Sequence, residues 1–285
     1  LYLTKIKFPP AERETDFFYG IQRTCYDSYY PFQILPKIGF RQIDFEPVTI
    51  LHGKNGCGKT TVLNVIAEKL GLKRVSPYNK SNFFPDYVNL CQIETEILPP
   101  PESCIITSDD IFDHMLDLRS WNDKIDRRRD DLFDEYMDAK YSRFQLQSLE
   151  DLEKLKTAHM AKTKTQSKFV RRNLMDNIRE KSNGESAFTY FLEKVKENAL
   201  YLLDEPENSL SAERQLELVK YIEDSARFFN CQFIISTHSP FLLSLRSAKI
   251  YDMDEEPVDV KRWTELNNVR TFYDFFRSHA REFEY

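Results

Sequence analysis

Glycine is scarce in this chain: 7 residues of 285, about a third of ordinary usage. That scarcity excludes collagen-like and flexible-linker chains. No apolar run reaches the ~20 residues that a transmembrane helix requires, and the first residues, LYLTKIKFPPAERE, hold neither a signal-peptide core nor a cleavage site. The expectation is a cytoplasmic protein with no direct membrane insertion. Cys25, Cys57, Cys91, Cys104 and Cys231 form an odd set without a C-x-x-C pair, which argues against both a disulfide framework and a zinc site. Positive charge is not in excess either. A net charge of −6 gives the whole molecule no attraction for nucleic acid, although it leaves room for a local basic patch. No internal repeat stands out. What is present is 41% hydrophobic and 14% aromatic, enough to core one large domain or one domain carrying an insertion.

Along the chain, the first fifty residues read as strands: LYLTKIKF, YPFQILPKIGF and FRQIDF, followed by the short buried strand VTILHG. The period then switches. In KTTVLNVIAEKLG the residues Val62, Leu63, Ile66 and Leu70 mark a helical face, and Gly71 stands where a helix commonly stops. YVNLCQIETEI and SCIITS are read as strands on either side of the prolines at 99 to 101. From about 114 to 181 the chain is charged and helix-favouring, with almost no Gly or Pro. We read this as an inserted helical arm, with Leu118, Trp121, Ile125 and Leu132 at three-four spacing. Strand and helix patterns then alternate from ALYLLD to the terminal helix VRTFYDFFRSHAREF, which implies a largely parallel, covered sheet. The expected organisation is a lobe at 1–113, an arm at 114–181 and a second lobe at 182–285, the two lobes forming one composite α/β domain with an antiparallel N-terminal part.

Three of the seven glycines, Gly53, Gly56 and Gly58, fall within six residues. They belong to Gly53-Lys54-Asn55-Gly56-Cys57-Gly58-Lys59-Thr60, which satisfies G-x-x-x-x-G-K-[ST] between a buried strand and a helix. In such a loop the backbone N–H groups converge on phosphates, and the helix N-terminus behind them adds partial positive charge. Lys59 would reach the β- and γ-phosphates of ATP, the Thr60 hydroxyl would bind Mg²⁺, and Thr61 completes the nucleotide-binding set.

Leu200-Tyr201-Leu202-Leu203-Asp204-Glu205-Pro206 is an apolar strand ending in two carboxylates. Alternation sends them in different directions, so Asp204 suits Mg²⁺ and Glu205 suits activating a water as general base. The competing role for such a pair is a turn or helix cap. Ile234-Ile235-Ser236-Thr237-His238-Ser239 repeats the design, with His238 past the strand end, able to bond a γ-phosphate and sense its loss.

Phosphate loop, apolar-Asp-Glu and apolar-Ser-Thr-His, in that order, resemble the ABC-type ATPase superfamily, and within it the stand-alone ATPases related to SMC and double-strand-break-repair heads. Ser182-Asn183-Gly184-Glu185-Ser186 resembles that group's degenerate signature, and Asp204-Glu205-Pro206-Glu207-Asn208-Ser209-Leu210-Ser211 its segment after the catalytic strand. The resemblance implies a P-loop NTPase fold and ATP hydrolysis with Mg²⁺. It also implies a head-to-tail homodimer in which Ser182, Gly184 and Glu185 of one subunit cap the ATP of another. One departure stands out: the place of the family's Mg²⁺-proximal Gln reads Ser108-Asp109-Asp110. Asp109 is the candidate metal ligand there, and helix capping is the alternative for the pair. Tyr30 or Phe32 is the candidate adenine-stacking ring, with a core position as the alternative.

The arm occupies the place of the SMC coiled coil. It carries Lys156, Lys162, Lys164, Lys168, Arg171 and Arg172 in a stretch without acids after Glu153 until Asp176. Two readings stand: a nucleic-acid-binding surface, or a solvated hairpin tip or protein-partner surface. The function expected is ATP hydrolysis coupled to conformational change in a DNA-related or defence setting. The alternatives are the energy-coupling subunit of a transporter and an ATP-dependent sensor that regulates an effector protein.

Overall fold

In the computed structural model the described residues are 1–21, 25–141, 160, 163, 165, 167, 168, 170 and 183–283. They divide into two compact units, residues 1–112 with 183–285 and residues 113–182.

The first unit holds two sheets. β1 (Leu3–Lys7), β2 (Gln42–Asp44) and β4 (Gln92–Thr95) form an antiparallel sheet in the order β2-β1-β4. The second sheet contains β3 (Val48–His52), β5 (Cys104–Thr107), β6 (Leu200–Asp204), β7 (Gln232–Ser236), β8 (Lys249–Asp252) and β9 (Asp259–Lys261). Its order is β5-β6-β7-β3-β8-β9, parallel throughout except for the β8–β9 pair. Every residue of β3, β6 and β7 is buried, as continuous apolar runs require in a sheet covered on both faces. This is the mixed α/β architecture with an antiparallel N-terminal part that the strand and helix patterns require. The two sheets share one core. Buried Gln232 also ties them: its Oε1 accepts the Tyr2 and Leu3 N–H groups at 2.9 Å, and its Nε2 donates to the Leu3 carbonyl at 2.7 Å.

The helices of this unit are α1 (Ala11–Gly20), α2 (Lys59–Leu70) and α3 (Phe84–Leu90), then α5 (Asn183–Lys194), α6 (Ala212–Phe228), α7 (Pro240–Leu243) and α8 (Asn267–Ser278) after α4, which runs from Ser108 to Tyr141. α2 ends at Gly71, whose φ of 63° lets its N–H bond the Ala67 and Glu68 carbonyls. Two segments depart from the strand reading. Residues 31–38 form turns and a 3₁₀ turn at Pro36–Ile38, and YVNL belongs to α3, with only Gln92–Thr95 of that stretch in a strand. In α3 the buried residues Phe84, Tyr87 and Val88 follow an i, i+3, i+4 spacing, and Pro85 sits in the first turn, where its missing N–H costs nothing. α1 likewise follows Pro10 and turns Glu14, Phe17 and Phe18 to one side.

In the second unit α4 supplies Leu132 and Tyr136, which are buried with Val170 and packed by Phe133, Ala139 and Met160. No helix among the described residues is long and apolar enough to cross a membrane, and all five cysteines are free.

Candidate functional site

Strand register aligns the carboxyl ends of four neighbours: Thr107 opposes Asp204, Asp204 opposes Ser236, and Ser236 opposes Leu51. The segments following β3, β6 and β7 therefore emerge side by side, at the edge where open parallel sheets bind ligands.

The loop after β3 is built by backbone conformation. Gly53, Gly56 and Gly58 have φ of 156°, 84° and 104°. A Cβ on Gly53 would lie 2.7 Å from Cys57 Sγ, and one on Gly58 would lie 3.2 Å from Ile34 Cγ2. The dihedral favours glycine at all three positions, and space does so at Gly53 and Gly58. The loop's start is pinned from outside: Lys54 N–H donates to Asp254 Oδ1 at 2.7 Å. Asp254 forms a cluster with His52 and Asp252, whose own bonds go to protein groups, Asp252 to Lys261 Nζ at 3.1 Å and His52 Nδ1 to the Thr237 carbonyl at 3.4 Å. A cavity of about 360 Å³ opens over the loop, lined by Tyr30, Ile34, Asn55, Gly56, Gly58, Lys59, Thr60, Thr61 and Glu205.

Lys59 is 4% exposed. Its ammonium donates to the Gly53 carbonyl at 2.8 Å and the Lys54 carbonyl at 3.1 Å, and lies 3.0 Å from His238 Nε2. Thr60 Oγ1 donates to Asp204 Oδ1 at 3.2 Å, while Thr61 Oγ1 is paired with the Tyr30 hydroxyl at 2.9 Å. Asp204 is buried at the end of β6, and burial pushes its carboxyl above the usual range. A carboxylate so placed, beside a hydroxyl, is a hard oxygen donor set short of positive charge, and it fits Mg²⁺.

Glu205 occupies the left-handed region, with φ 48° and ψ 54°. Its side chain lines the cavity over the phosphate loop. Oε1 lies 3.2 Å from His238 Nε2, Oε2 accepts from Asn208 Nδ2 at 3.0 Å, and the Glu205 N–H donates to the Ser236 carbonyl at 2.9 Å. One ring nitrogen of His238 thus faces an ammonium donor and a carboxylate acceptor, and its protonation state selects between them. Burial first, and then the Lys59 charge, hold the His238 pKa below its ordinary value, favouring the neutral ring.

Glu207 and Asn208 carry contacts that spacing alone does not announce. Glu207 Oε1 accepts from Thr237 Oγ1 and His238 N, both at 2.7 Å, and from Ser239 N at 3.2 Å. The partners lie about thirty residues apart in sequence, so only the sheet order brings them together.

Other candidates fall elsewhere. Asp110, not Asp109, is the buried member of its pair: Oδ1 accepts Ser76 N–H at 2.8 Å, and Oδ2 accepts the Thr107 N–H and hydroxyl at 2.7 and 3.0 Å. Its carboxylate is consumed in holding the start of α4. Asp109 is exposed in the same first turn and bonds neither Thr60 nor Asp204. Phe32 is core, stacked on Phe17 at 4.6 Å, and Tyr30 is the ring that lines the cavity. Gly184 and Glu185 lie in the first turn of α5, where Glu185 pairs with Arg214 at 3.4 Å, and neither lines the cavity. Lys168 is exposed. Ser182, Lys156, Lys162, Lys164, Arg171 and Arg172 lie outside the described residues.

Residues 181–243 match the family model of an AAA ATPase domain. The match spans the Ser182–Ser186 segment, the Asp204-Glu205 strand and the His238 loop, and it agrees with the resemblance read from those segments. No curated protein matches the sequence. Among solved structures, the chain is similar to the SMC head domain from Thermotoga maritima, with 12% identity over 92% of this chain and 99% of that one and a TM-score of 0.39. It is similar to the Smc head domain of Pyrococcus furiosus bound to the C-terminal domain of ScpA, with 13% identity, coverage of 83% and 95%, and a TM-score of 0.39. A third similarity is to the dimeric ATP-binding cassette MJ0796 bound to ADP and phosphate, with 12% identity, coverage of 79% and 90%, and a TM-score of 0.35. At these scores the likenesses carry no functional weight, and the chemistry rests on the site itself.

Proposed function

We propose that this chain binds and hydrolyses ATP at the cavity over the phosphate loop. The observation that carries the reading is the convergence of Lys59, Thr60, Asp204, Glu205 and His238 at the ends of three adjacent parallel strands. The loop N–H groups and Lys59 hold the β- and γ-phosphates; to do so the ammonium exchanges its contacts with His238 and the loop carbonyls for phosphate oxygens. Thr60 and Asp204 would hold Mg²⁺, which when bound neutralises phosphate charge. Glu205 takes a proton from the attacking water as general base, with Asn208 fixing its second oxygen. His238 bonds the γ-phosphate and loses that contact after hydrolysis. Ser182 and Gly184 would cap the ATP of a second copy, so that ATP joins two chains around a two-fold axis and hydrolysis parts them.

Phosphate release and sedimentation of wild type and Glu205→Gln test both parts. The wild type releases phosphate from MgATP, and the variant is slower by about 10²–10⁴-fold, the usual worth of a general base. With MgATP the variant sediments as a dimer, and without it as a monomer. Equal phosphate release by both proteins removes Glu205 as the base, and a monomer under both conditions removes the sandwich.

A further inference from the structure

Glu207 has no part in the chemistry assigned above, yet one oxygen of its carboxylate accepts three donors beside the site. It lies in the 3₁₀ turn Pro206–Ser209, entered through the left-handed Glu205. One oxygen, Oε1, accepts three donors from three consecutive residues: the Thr237 hydroxyl at 2.7 Å, the His238 N–H at 2.7 Å and the Ser239 N–H at 3.2 Å. The other oxygen, Oε2, is buried with no hydrogen-bond partner among the described residues. A lone pair left bare in the interior costs stability. A merely structural clamp would gain by using both oxygens.

We infer that Glu207 is a positioning residue, which sets the loop 237–239 so that the His238 ring meets Glu205 and Lys59. The backbone supports this. Glu205 N–H bonds the Ser236 carbonyl, extending the strand pairing one step past β6, so residues 205 and 236 move together. Beyond that point the His238 N–H has Glu207 as its acceptor. The imidazole, reaching Glu205 Oε1 at 3.2 Å and Lys59 Nζ at 3.0 Å, is therefore placed by a bond to its own backbone nitrogen. Asn268 Nδ2 holds the other side of the same residue, donating to the His238 carbonyl at 2.9 Å. A carboxylate suits the task because it only accepts. A glutamine in its place keeps one oxygen for the three donors, but as a neutral and weaker acceptor, and puts an N–H₂ group where Oε2 is buried.

The test reads His238 directly, by NMR titration of its ring in nucleotide-free wild type, Glu207→Gln and Glu207→Ala, with His238→Gln assigning the signal among five histidines. The charged and titratable groups facing the ring are Lys59, Glu205, Asp254 and His52. Removing the Glu207 charge while the ring stays in place lowers the His238 pKa further, because a nearby negative charge favours the imidazolium. Releasing the ring into water raises it toward the ordinary value of 6.5. Positioning predicts a rise in Glu207→Ala and a smaller rise in Glu207→Gln, which retains one acceptor oxygen. A fall, or no change, in both variants overturns the inference. The kinetic consequence rests on the proposed hydrolysis: kcat falls at least about tenfold in Glu207→Ala while KM for ATP stays within about threefold. Unchanged kcat also overturns it. Should the alanine variant not fold, the isosteric glutamine carries the same tests. A wild type that releases no phosphate defeats the ATPase reading alone, since the titration needs no turnover.

Discussion

On one side of the cavity lies the loop at 53–60, whose backbone is shaped by glycines at positive φ and would offer N–H donors to phosphate. On the other side Glu205, Glu207, Asn208 and His238 are bonded to one another and to Ser236, Thr237 and Ser239. The first half is made by dihedral angles and needs few partners. The second is a set of side-chain bonds across two strands, in which each group depends on another's placement. A defect in the first half should therefore lower affinity and stability while sparing the chemistry, and a defect in the second should do the reverse. In the proposed hydrolysis this follows because loop geometry acts equally on ground state and transition state, whereas Glu205 and His238 would act on the reacting atoms.

Lys59 belongs to both halves, so its loss gives the largest effect. Lys59→Ala removes a buried ammonium that bonds two loop carbonyls and lies against His238. Charge-assisted bonds to phosphate are worth about 1.5–3 kcal/mol each, so ATP affinity measured by calorimetry should fall about 100-fold. The His238 pKa should rise at the same time, because the Lys59 charge is one of the two causes depressing it. A loss of affinity with no movement of His238 would show that the two halves are not joined at Lys59.

Gly58→Ala confines the damage to the backbone half. At φ 104° an L-residue is strained, and the new Cβ would sit 3.2 Å from Ile34 Cγ2 and 3.3 Å from Leu35 Cδ2. Strain of this kind costs about 1–3 kcal/mol, read as a lower midpoint in denaturant and weaker ATP binding. The His238 titration should stay where it is in wild type. A shift in that titration would mean that loop geometry controls the imidazole, and the division into two halves would fail.

The two halves also differ in how plainly sequence declares them. Gly53, Gly56, Gly58, Lys59 and Thr60 are legible because their requirement is local: a glycine dihedral, a reach, a hydroxyl in the first turn of a helix. Buried strands such as Leu200–Asp204 and Gln232–Ser236 are legible from their apolar runs. The bonds of Glu207 are not, since its donors come from Thr237, His238 and Ser239 on the neighbouring strand's loop. Asp109 and Asp110 differ by one residue, and which of them turns inward depends on where α4 begins. α3 hides for a related reason: Tyr87 and Val88 are as good strand residues as helix residues, and only packing with Phe84 decides. The turns at 31–38 are obscured likewise by aromatic residues that serve the core.

Glu14 sharpens the comparison from outside both halves, with the smallest expected effect. Like Glu207 it is a buried carboxyl with one oxygen lacking a partner among the described residues, here Oε1, while Oε2 accepts the Gln33 N–H at 2.6 Å. Burial raises its pKa above the ordinary 4.5, as it does for Glu207. A carboxyl whose folded pKa is raised binds protons more tightly folded than unfolded. Its ionisation therefore costs stability above the folded pKa, and the cost disappears below the unfolded value. Glu14→Gln keeps the acceptor for Gln33 and removes the buried charge, and should stabilise the fold at pH 7 by about 1 kcal/mol, with the advantage fading as pH falls through the raised folded pKa and gone below about 4.5. Glu207→Gln relieves a similar burial cost and keeps an acceptor oxygen, but a neutral amide holds three donors less strongly than a carboxylate, so it should gain less stability or lose some. Urea unfolding of both variants at pH 7 and pH 4 reads the contrast. Equal stabilisation by the two would mean that the three bonds to Glu207 are worth no more than the single one to Glu14.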